Sequence, residues 1–188
     1  MMESPKIVGI CGSLRDESTT RVALTHTLAA AEAAGAETEL LDLREFDLPI
    51  YDGDRKNAGD APELCARVRD ADGIVLGTPI YHGTISSGLK TALDYCGFDE
   101  FESKPVGLLV VAGGRFPSPA LLHLQTVCVW LRALPLPHQV GIPRVSNTVE
   151  DGELVDEKTM ERTETLGEDV TEYARKLAFD PADLPTVC

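Results

Sequence analysis

Short, wholly apolar runs alternate along this chain with longer stretches in which apolar side chains recur every three or four residues. Three of the runs, Lys6–Cys11, Gly73–Gly77 and Val106–Val111, contain almost no polar residue, which is typical of strands covered on both faces. Two further runs are weaker: Glu37–Asp42 is half apolar, as expected at a sheet edge, and Leu136–Val140 is short. The pattern predicts five strands, three of them central.

The stretches between the strands have the periodicity of amphipathic helices. The predicted helices run over about Ser18–Ala34, Asp60–Asp70, Ser86–Cys96, Ser118–Leu134 and Glu157–Phe179. Strands and helices that alternate at this spacing form a parallel α/β sheet with helices on both faces, a three-layer sandwich. Since the first, third and fourth strands are the most apolar, we expect the strand order 2-1-3-4-5. Residues 1–180 are assigned to a single domain and residues 181–188 to a short C-terminal tail.

The predicted helix Ser118–Leu134 is hydrophobic nearly all round. Leu121, Leu124 and Cys128 form one apolar face, while Leu122 and Trp130 belong to another. A helix of this kind needs cover on two sides, and the sheet can cover only one of them. We therefore expect a homodimer or a homotetramer, with a well-buried helix in a monomer as the alternative.

The charge of the chain excludes several kinds of partner. The formal net charge is −14, which argues against binding to nucleic acid or to an anionic membrane surface. The N-terminal residues resemble no signal peptide and no apolar run is long enough to span a membrane, so we expect a cytoplasmic protein. The acidic surface is typical either of adaptation to high salt or of an ordinary acidic protein, and the sequence does not separate the two.

The cysteines and histidines give no sign of a metal site. The five cysteines include no Cys-x-x-Cys pair and have no metal-like spacing with histidine, so we interpret them as reduced thiols, mostly in the core. Cys11 is the exception in position, because it ends the first strand beside the loop described next.

The loop after the first strand has the composition of an anion site. It is rich in hydroxyl groups, carries a guanidinium group and leads into a helix, whose first N–H groups and dipole favour a negative charge. The residues expected to contact a phosphate are Ser13, Arg15, Ser18, Thr19 and Thr20. Arg21 is an equal candidate for phosphate contact or for a surface ion pair.

Two more loops follow the carboxyl ends of central strands, where ligands bind in open α/β sheets. The second loop contains Pro79, Ile80, Tyr81, His82, Gly83 and Thr84, and the third contains Gly113, Gly114 and Arg115. The second offers a semi-rigid, partly aromatic edge, and the third allows the backbone to approach a ring closely beside a cation. A phosphate site at one end and a planar ring site at the other describe FMN.

Three motifs resemble the NADPH-dependent FMN reductase family of flavodoxin-like proteins. They are Gly12-Ser13-Leu14-Arg15-x-x-Ser18, Pro79-x-Tyr81-x-Gly83-Thr84 and Gly88-Leu89-Lys90-x-Ala92-Leu93-Asp94-Tyr95, and the segment Leu48-Pro49-Ile50-Tyr51 is similar as well. The resemblance covers most of the chain, from the first strand to about Leu134. It implies a phosphate bound by Ser13, Arg15, Ser18 and Thr20, and an isoalloxazine ring bordered by residues 79–84 and 113–115. Thr20 departs from the asparagine common in the family, and Ser86-Ser87 from its usual helix start.

The hypothesis is therefore an FMN-dependent enzyme that takes hydride from NADPH or NADH and passes it to a small-molecule acceptor: a flavin, a quinone or an azo compound. No side chain is assigned a catalytic role, because the cofactor carries the chemistry in such a scheme. The alternative from another class is a flavodoxin-like electron carrier that docks through its acidic surface. A third, weaker alternative is a nucleotide-binding module without redox activity.

Overall fold

The computed structural model describes residues 4–145 and 148–177. The strands are β1 Lys6–Cys11, β2 Glu37–Asp42, β3 Gly73–Tyr81, β4 Thr84–Ile85, β5 Pro105–Val111, β6 Leu134–Ile142, β7 Val149–Glu150 and β8 Glu153–Leu154. The helices are α1 Thr19–Ala33, α2 Ala61–Arg69, α3 Ser87–Tyr95, α4 Phe98–Phe101, α5 Ser118–Trp130 and α6 Glu157–Leu177, with a 3₁₀ turn at Leu43–Glu45.

Five parallel strands form the central sheet in the order β2-β1-β3-β5-β6. The short strand β4 pairs antiparallel with the end of β3 and lies off this path. With β4 set aside, the order is 2-1-3-4-5, and the prediction of a flavodoxin-like α/β sandwich is confirmed.

The sheet separates two buried apolar clusters. On one face Leu64 of α2, Leu89 of α3 and Leu124 of α5 pack against the strands. On the other face α1 and α6 do so, through residues such as Leu24 and Val170. Each such side chain contributes about 1.5–3 kcal/mol to folding through removal from water, which makes these two layers the main source of stability.

Strand β3 extends four residues further than the pattern predicts. The pair Thr78-Pro79 was expected to end the strand, but Pro79 pairs in register with Val111 of β5. Strand β1 accompanies β3 only as far as Gly77, opposite Cys11. Beyond Gly77 one side of β3 has no parallel neighbour. Pro79, which has no N–H group, therefore costs the sheet no hydrogen bond.

Besides β4 and the 3₁₀ turn, two small elements were not predicted. The four-residue helix α4 follows α3, and β7 and β8 form a hairpin inside the stretch expected to be a loop. The hairpin turns at Asp151 and Gly152, both with positive φ, which is the Asp-Gly signal of a two-residue turn. The predicted end of the last helix at Phe179 and the tail 181–188 lie outside the described residues. None of the helices described in 4–145 and 148–177 is long and apolar enough to cross a membrane.

Candidate functional site

Gly12 holds the start of the first loop against α3. Its N–H donates to the carbonyl oxygen of Gly77 at 2.8 Å, and its carbonyl oxygen accepts from Ser86 Oγ at 2.6 Å. A β-carbon on Gly12 would come within 2.6 Å of Leu89 Cβ, so only glycine fits here. Ser86 also caps α3, since its Oγ accepts from the N–H of Leu89 at 3.1 Å. One buried hydroxyl thus fixes both the loop and the helix beside it.

The residues after Gly12 present an array of donors. Ser13, Ser18 and Thr20 are buried, and Thr19 is half-buried. Ser18 caps α1 by accepting from the N–H of Arg21 at 3.1 Å. Within the described ranges, the backbone N–H groups of residues 14 and 16–20 donate to no protein acceptor, while that of Ser13 is directed at the Cys11 thiol. Such a row of free donors at a helix start is suited to a phosphate or another anion.

The arginines of this region divide into two kinds. Arg21 pairs with Asp42 at 2.8 Å and also donates to the carbonyl oxygens of Arg15 and Asp16, so its guanidinium braces the loop from within. Arg15 is exposed, and across residues 4–145 and 148–177 its guanidinium has no hydrogen bond or ion pair. Arg15 is therefore available to a ligand, while Arg21 is committed to the protein.

Asp42, at the carboxyl end of β2, holds the Arg21 guanidinium in place. Arg44 pairs with Asp42 at 2.7 Å and also reaches Asp16 at 3.4 Å. Burial by itself would raise the pKa of the Asp42 carboxyl, but the hydrogen bonds from Arg44 and Arg21 outweigh it and lower that pKa below its usual value. Asp42 is thus ionised at neutral pH and offsets much of the positive charge beside the loop.

The second predicted segment is a β-hairpin rather than an open loop. Ile80 pairs with Ile85 and Tyr81 with Thr84, and the turn consists of His82 and Gly83 with φ of 50° and 82°. Two consecutive positive φ angles define the tight turn that matches strand twist, and glycine adopts it without strain. Tyr81, His82 and Gly83 are exposed, while Pro79, Ile80 and Thr84 are half-buried.

A contact with α5 holds the hairpin. The hydroxyl of Thr84 is hydrogen-bonded to Nδ1 of His123. His123 therefore has a structural role in the position of the hairpin. The edge formed by residues 79–84 is therefore tied to a helix at one side and to β5 at the other.

The third segment is exposed and has few contacts. Gly113, Gly114 and Arg115 all face solvent, and a β-carbon on either glycine would meet nothing within 4 Å. Three hydrogen bonds hold the backbone just before and within the turn. The N–H of Ala112 donates to the carbonyl of Ile142, that of Val145 to the carbonyl of Ala112, and that of Arg144 to the carbonyl of Gly114.

Sheet register brings the three segments to one edge. Cys11 lies opposite Gly77, and Pro79 lies opposite Val111, so the loops after β1, β3 and β5 leave the sheet side by side. Adjacent strands are about 4.8 Å apart, which places the three exits within about 10 Å of one another. This juxtaposition, at the carboxyl ends of central parallel strands, was expected from the sequence.

Other residues of the site were missed. Ser86 and Asp42 were not named as supports of the loop, although a serine directly before a helix and a carboxylate at the carboxyl end of a strand are both recognisable signals. The Thr84–His123 contact joins residues 39 apart, and no local pattern could reveal it.

No group of three or more His, Cys, Asp or Glu side chains placed to hold a metal ion occurs within the described part of the chain. The thiols of Cys11, Cys65, Cys96 and Cys128 are all free. Burial raises the pKa of the Cys11 thiol, which keeps it protonated and apolar beside the loop.

A doubly wound sheet with the hydroxyl-rich loop, the hairpin and the glycine turn at its carboxyl edge defines a flavodoxin-like protein. Among solved structures, the flavoenzyme NAD(P)H:(acceptor) oxidoreductase FerB of Paracoccus denitrificans superimposes with a TM-score of 0.77 over 92% of this chain and 98% of its own. At 20% identity this likeness shows the fold alone.

Sequence comparison gives the family. The model of the NADPH-dependent FMN reductase family matches residues 5–147. An NADPH azoreductase of Bacillus sp. (strain OY1-2) is 38% identical over 152 residues, which are 79% of this chain and 82% of the relative. An FMN-dependent NADPH-azoreductase of Staphylococcus saprophyticus is 34% identical over 140 residues, 70% of this chain and 73% of the relative.

The chain belongs to the NADPH-dependent FMN reductase family. It is an FMN-dependent NAD(P)H oxidoreductase, as the loop motifs predict, and its cofactors are FMN and NADPH. The comparisons thus favour the enzyme over the electron carrier and over a module without redox activity.

Proposed function

We propose that the first loop holds the FMN phosphate and that the hairpin and the glycine turn border the flavin ring. The phosphate contacts are the free N–H groups at the start of α1, the hydroxyls of Ser13, Ser18, Thr19 and Thr20, and the Arg15 guanidinium. The ring is bordered by Pro79, Ile80, Tyr81, His82, Gly83 and Thr84 on one side and by Gly113, Gly114 and Arg115 on the other. The observation that carries this assignment is the unsatisfied donor array beside an exposed, aromatic hairpin at the same sheet edge.

The donor set fits a dianionic phosphate in chemical terms. Each N–H or hydroxyl bond to a charged oxygen contributes more than a neutral hydrogen bond, and arginine adds a planar fork of donors. The two negative groups of the loop do not oppose this, because Arg44 neutralises Asp16 and Glu17 is exposed. Asp42, a buried carboxylate behind the loop, is itself paired twice.

Bound FMN would supply the redox chemistry, taking hydride from a nicotinamide and passing reducing equivalents to the acceptor. The chain positions the flavin ring and the molecules that react with it. Its hairpin fixes one ring edge, its glycine turn leaves space for a planar partner, and the exposed Tyr81 offers an aromatic surface for stacking. No residue of the three segments is required to transfer a proton in this scheme.

The acceptor we propose is an azo compound, with quinones and free flavin as alternative substrates. The support is the 38% identity to a relative named NADPH azoreductase, together with the open ring end of the site. Anaerobic stopped-flow mixing of the FMN-loaded protein with NADPH should bleach the visible flavin band, and an azo dye added next should restore it. A flavin that NADPH does not reduce would contradict the reductase, whereas reduction without reoxidation by the dye would contradict only the acceptor.

Arg15→Ala tests the phosphate assignment. Removing one charge-assisted contact should weaken FMN binding by about 1.5–3 kcal/mol, roughly 10- to 150-fold in Kd, as measured by flavin fluorescence titration. Folding stability should not change, because the Arg15 guanidinium has no protein partner among the described residues. Arg55→Ala is the matched control: Arg55 is exposed and pairs with Asp52 away from the loop. Equal FMN affinity in the two variants would show that the phosphate lies elsewhere.

We also propose that α5 forms the contact between subunits of a homodimer or homotetramer. Leu122, Val129 and Trp130 are 61, 66 and 81% exposed on its outer side, which is unusual for three large apolar side chains on one helix. Trp130→Ser should lower the molecular mass measured by light scattering, whereas Phe116→Ser, at an exposed aromatic on a loop, should not.

A cytoplasmic location and a single domain over residues 1–180 complete the proposal. The four cysteines in the described part of the chain are all unpaired, which favours a reducing compartment. Cell fractionation with an antibody to the chain tests the location, and limited proteolysis tests whether the first 180 residues resist cleavage as one unit.

A further inference from the structure

Two cysteines distant in sequence meet beside an open cavity. Cys65 lies in α2 and Cys96 directly follows α3, and their Sγ atoms are 3.9 Å apart. Both line a cavity of about 520 Å³ that also contacts Tyr51, Arg69 and Glu100 and is separate from the three cofactor segments. Cys96 is buried and Cys65 is half-buried, so a small solute in the cavity can reach Cys65.

The surroundings of Cys65 differ from those of the other described thiols. They differ even from those of its partner Cys96, whose pKa is raised by the hydrogen bond with Cys65 and by burial. Burial raises the pKa of Cys128 to about 12 and also raises that of Cys11, which makes both unreactive. The hydrogen bond with Cys96 lowers the pKa of the Cys65 thiol, against an opposing effect of burial. Arg69, one turn further along α2, acts in the same direction, while Glu100 acts against it.

We propose that Cys65 and Cys96 are a dithiol site that a hydroperoxide oxidises to an intramolecular disulfide. The Cys65 thiolate attacks one peroxide oxygen, the O–O bond breaks, and the departing alkoxide or hydroxide takes up the proton that the thiol had lost. This leaves a sulfenic acid on Cys65. The Cys96 sulfur then attacks the Cys65 sulfur, the S–O bond breaks and water leaves with the Cys96 proton. Together the two thiols lose two electrons. An organic hydroperoxide is reduced to an alcohol and one water, and hydrogen peroxide is reduced to two waters.

The geometry requires little movement. A disulfide has an S–S distance of about 2.05 Å, so the two sulfur atoms must approach by about 2 Å, which side-chain rotation and small helix shifts can provide. The bond would join α2 to the end of α3. Since the beginning of α3 carries Ser86, which holds Gly12, the disulfide would stiffen the helix layer on which the first loop rests.

The test uses the full-length reduced protein, treated without oxygen with a few equivalents of hydrogen peroxide. Peptide mass spectrometry without reductant should find Cys65 and Cys96 cross-linked, with a loss of two hydrogen atoms. Cys128→Ala should give the same cross-link. In Cys96→Ser, dimedone should label Cys65 as a sulfenic acid, and in Cys65→Ser both the cross-link and the label should be absent.

A thermal scan gives an independent readout. Closing a loop of this length restricts the unfolded chain, so the oxidised protein should melt about 5 °C or more above the reduced protein, and dithiothreitol should reverse the change. The proposal is overturned if Cys65 and Cys96 remain as thiols while other cysteines, including Cys188, react. It is overturned as well if Cys65→Ser loses thiols as fast as the unaltered chain. None of these outcomes depends on flavin binding.

Discussion

The two ends of the proposed cofactor site are built in opposite ways. The phosphate end is embedded: Gly12 touches Leu89, Ser86 bonds two backbones, and Arg21 and Arg44 converge on a buried carboxylate. The ring end is exposed, with Gly113 and Gly114 free of neighbours and the hairpin turn in solvent. The difference suggests a division of labour. The group common to every catalytic cycle is held by rigid structure, while the end that must admit both a nicotinamide and a varied acceptor is left open.

The largest expected contrast is between two glycines. Gly12→Ala places a methyl group 2.6 Å from Leu89 Cβ and 3.1 Å from a backbone oxygen, and should lower the free energy of unfolding by about 3 kcal/mol. Gly113→Ala, which meets open space at an ordinary φ, should leave it unchanged or slightly raised. Urea denaturation of the two apoproteins measures the difference. Equal stabilities would refute the view that the phosphate end is embedded.

A smaller effect is expected at the charged support of the loop. Asp42→Asn removes the carboxylate shared by Arg21 and Arg44 and should cost about 2 kcal/mol at pH 7. The pKa of Asp42 is lower in the folded chain than in the unfolded one. Its contribution is therefore complete above the unfolded pKa and is lost as the pH falls below about 4.

Urea denaturation from pH 7 to pH 3 should accordingly show a smaller loss of stability in Asp42→Asn than in the unaltered protein. Glu172→Gln, at an exposed pair with Lys176, serves as the control and should reproduce the unaltered pH profile. If the two variants share one profile, Asp42 does not support the fold by ionic pairing.

The smallest effect is expected at the hairpin turn. Gly83 has a φ of 82° in open surroundings, so Gly83→Ala meets no clash but must adopt a left-handed conformation, at a cost of about 1 kcal/mol. Gly53→Ala, in a loop with no neighbour and no positive φ, is the matched substitution without strain. Thermal denaturation should rank the variants as Gly53→Ala, Gly83→Ala and Gly12→Ala from most to least stable, and a different ranking would contradict the comparison of the two ends.

The sequence predicts the sheet well because the buried strands are apolar throughout. It also predicts the candidate anion loop, since hydroxyls, glycine and a helix start are contiguous there, and the structure shows the helix start at Thr19. The sequence does not predict how far β3 extends. Pro79 is tolerated in β3 only where that strand has no parallel neighbour on one side, and this depends on where β1 ends. The contacts of Arg21 with Asp42 and of Thr84 with His123 join distant segments, and no periodicity encodes them. The Asp-Gly turn of the β7–β8 hairpin is a local signal that the sequence does contain.

Ser86 Oγ makes two hydrogen bonds, one donated to the carbonyl of Gly12 and one accepted from the N–H of Leu89, and these order the start of the first loop. Because the chain's own contacts fix the loop at Gly12, the conformational entropy of that segment is lost during folding and is not lost again when FMN arrives. In the proposed site, the segment at Gly12 therefore needs no further ordering when the cofactor leaves and returns.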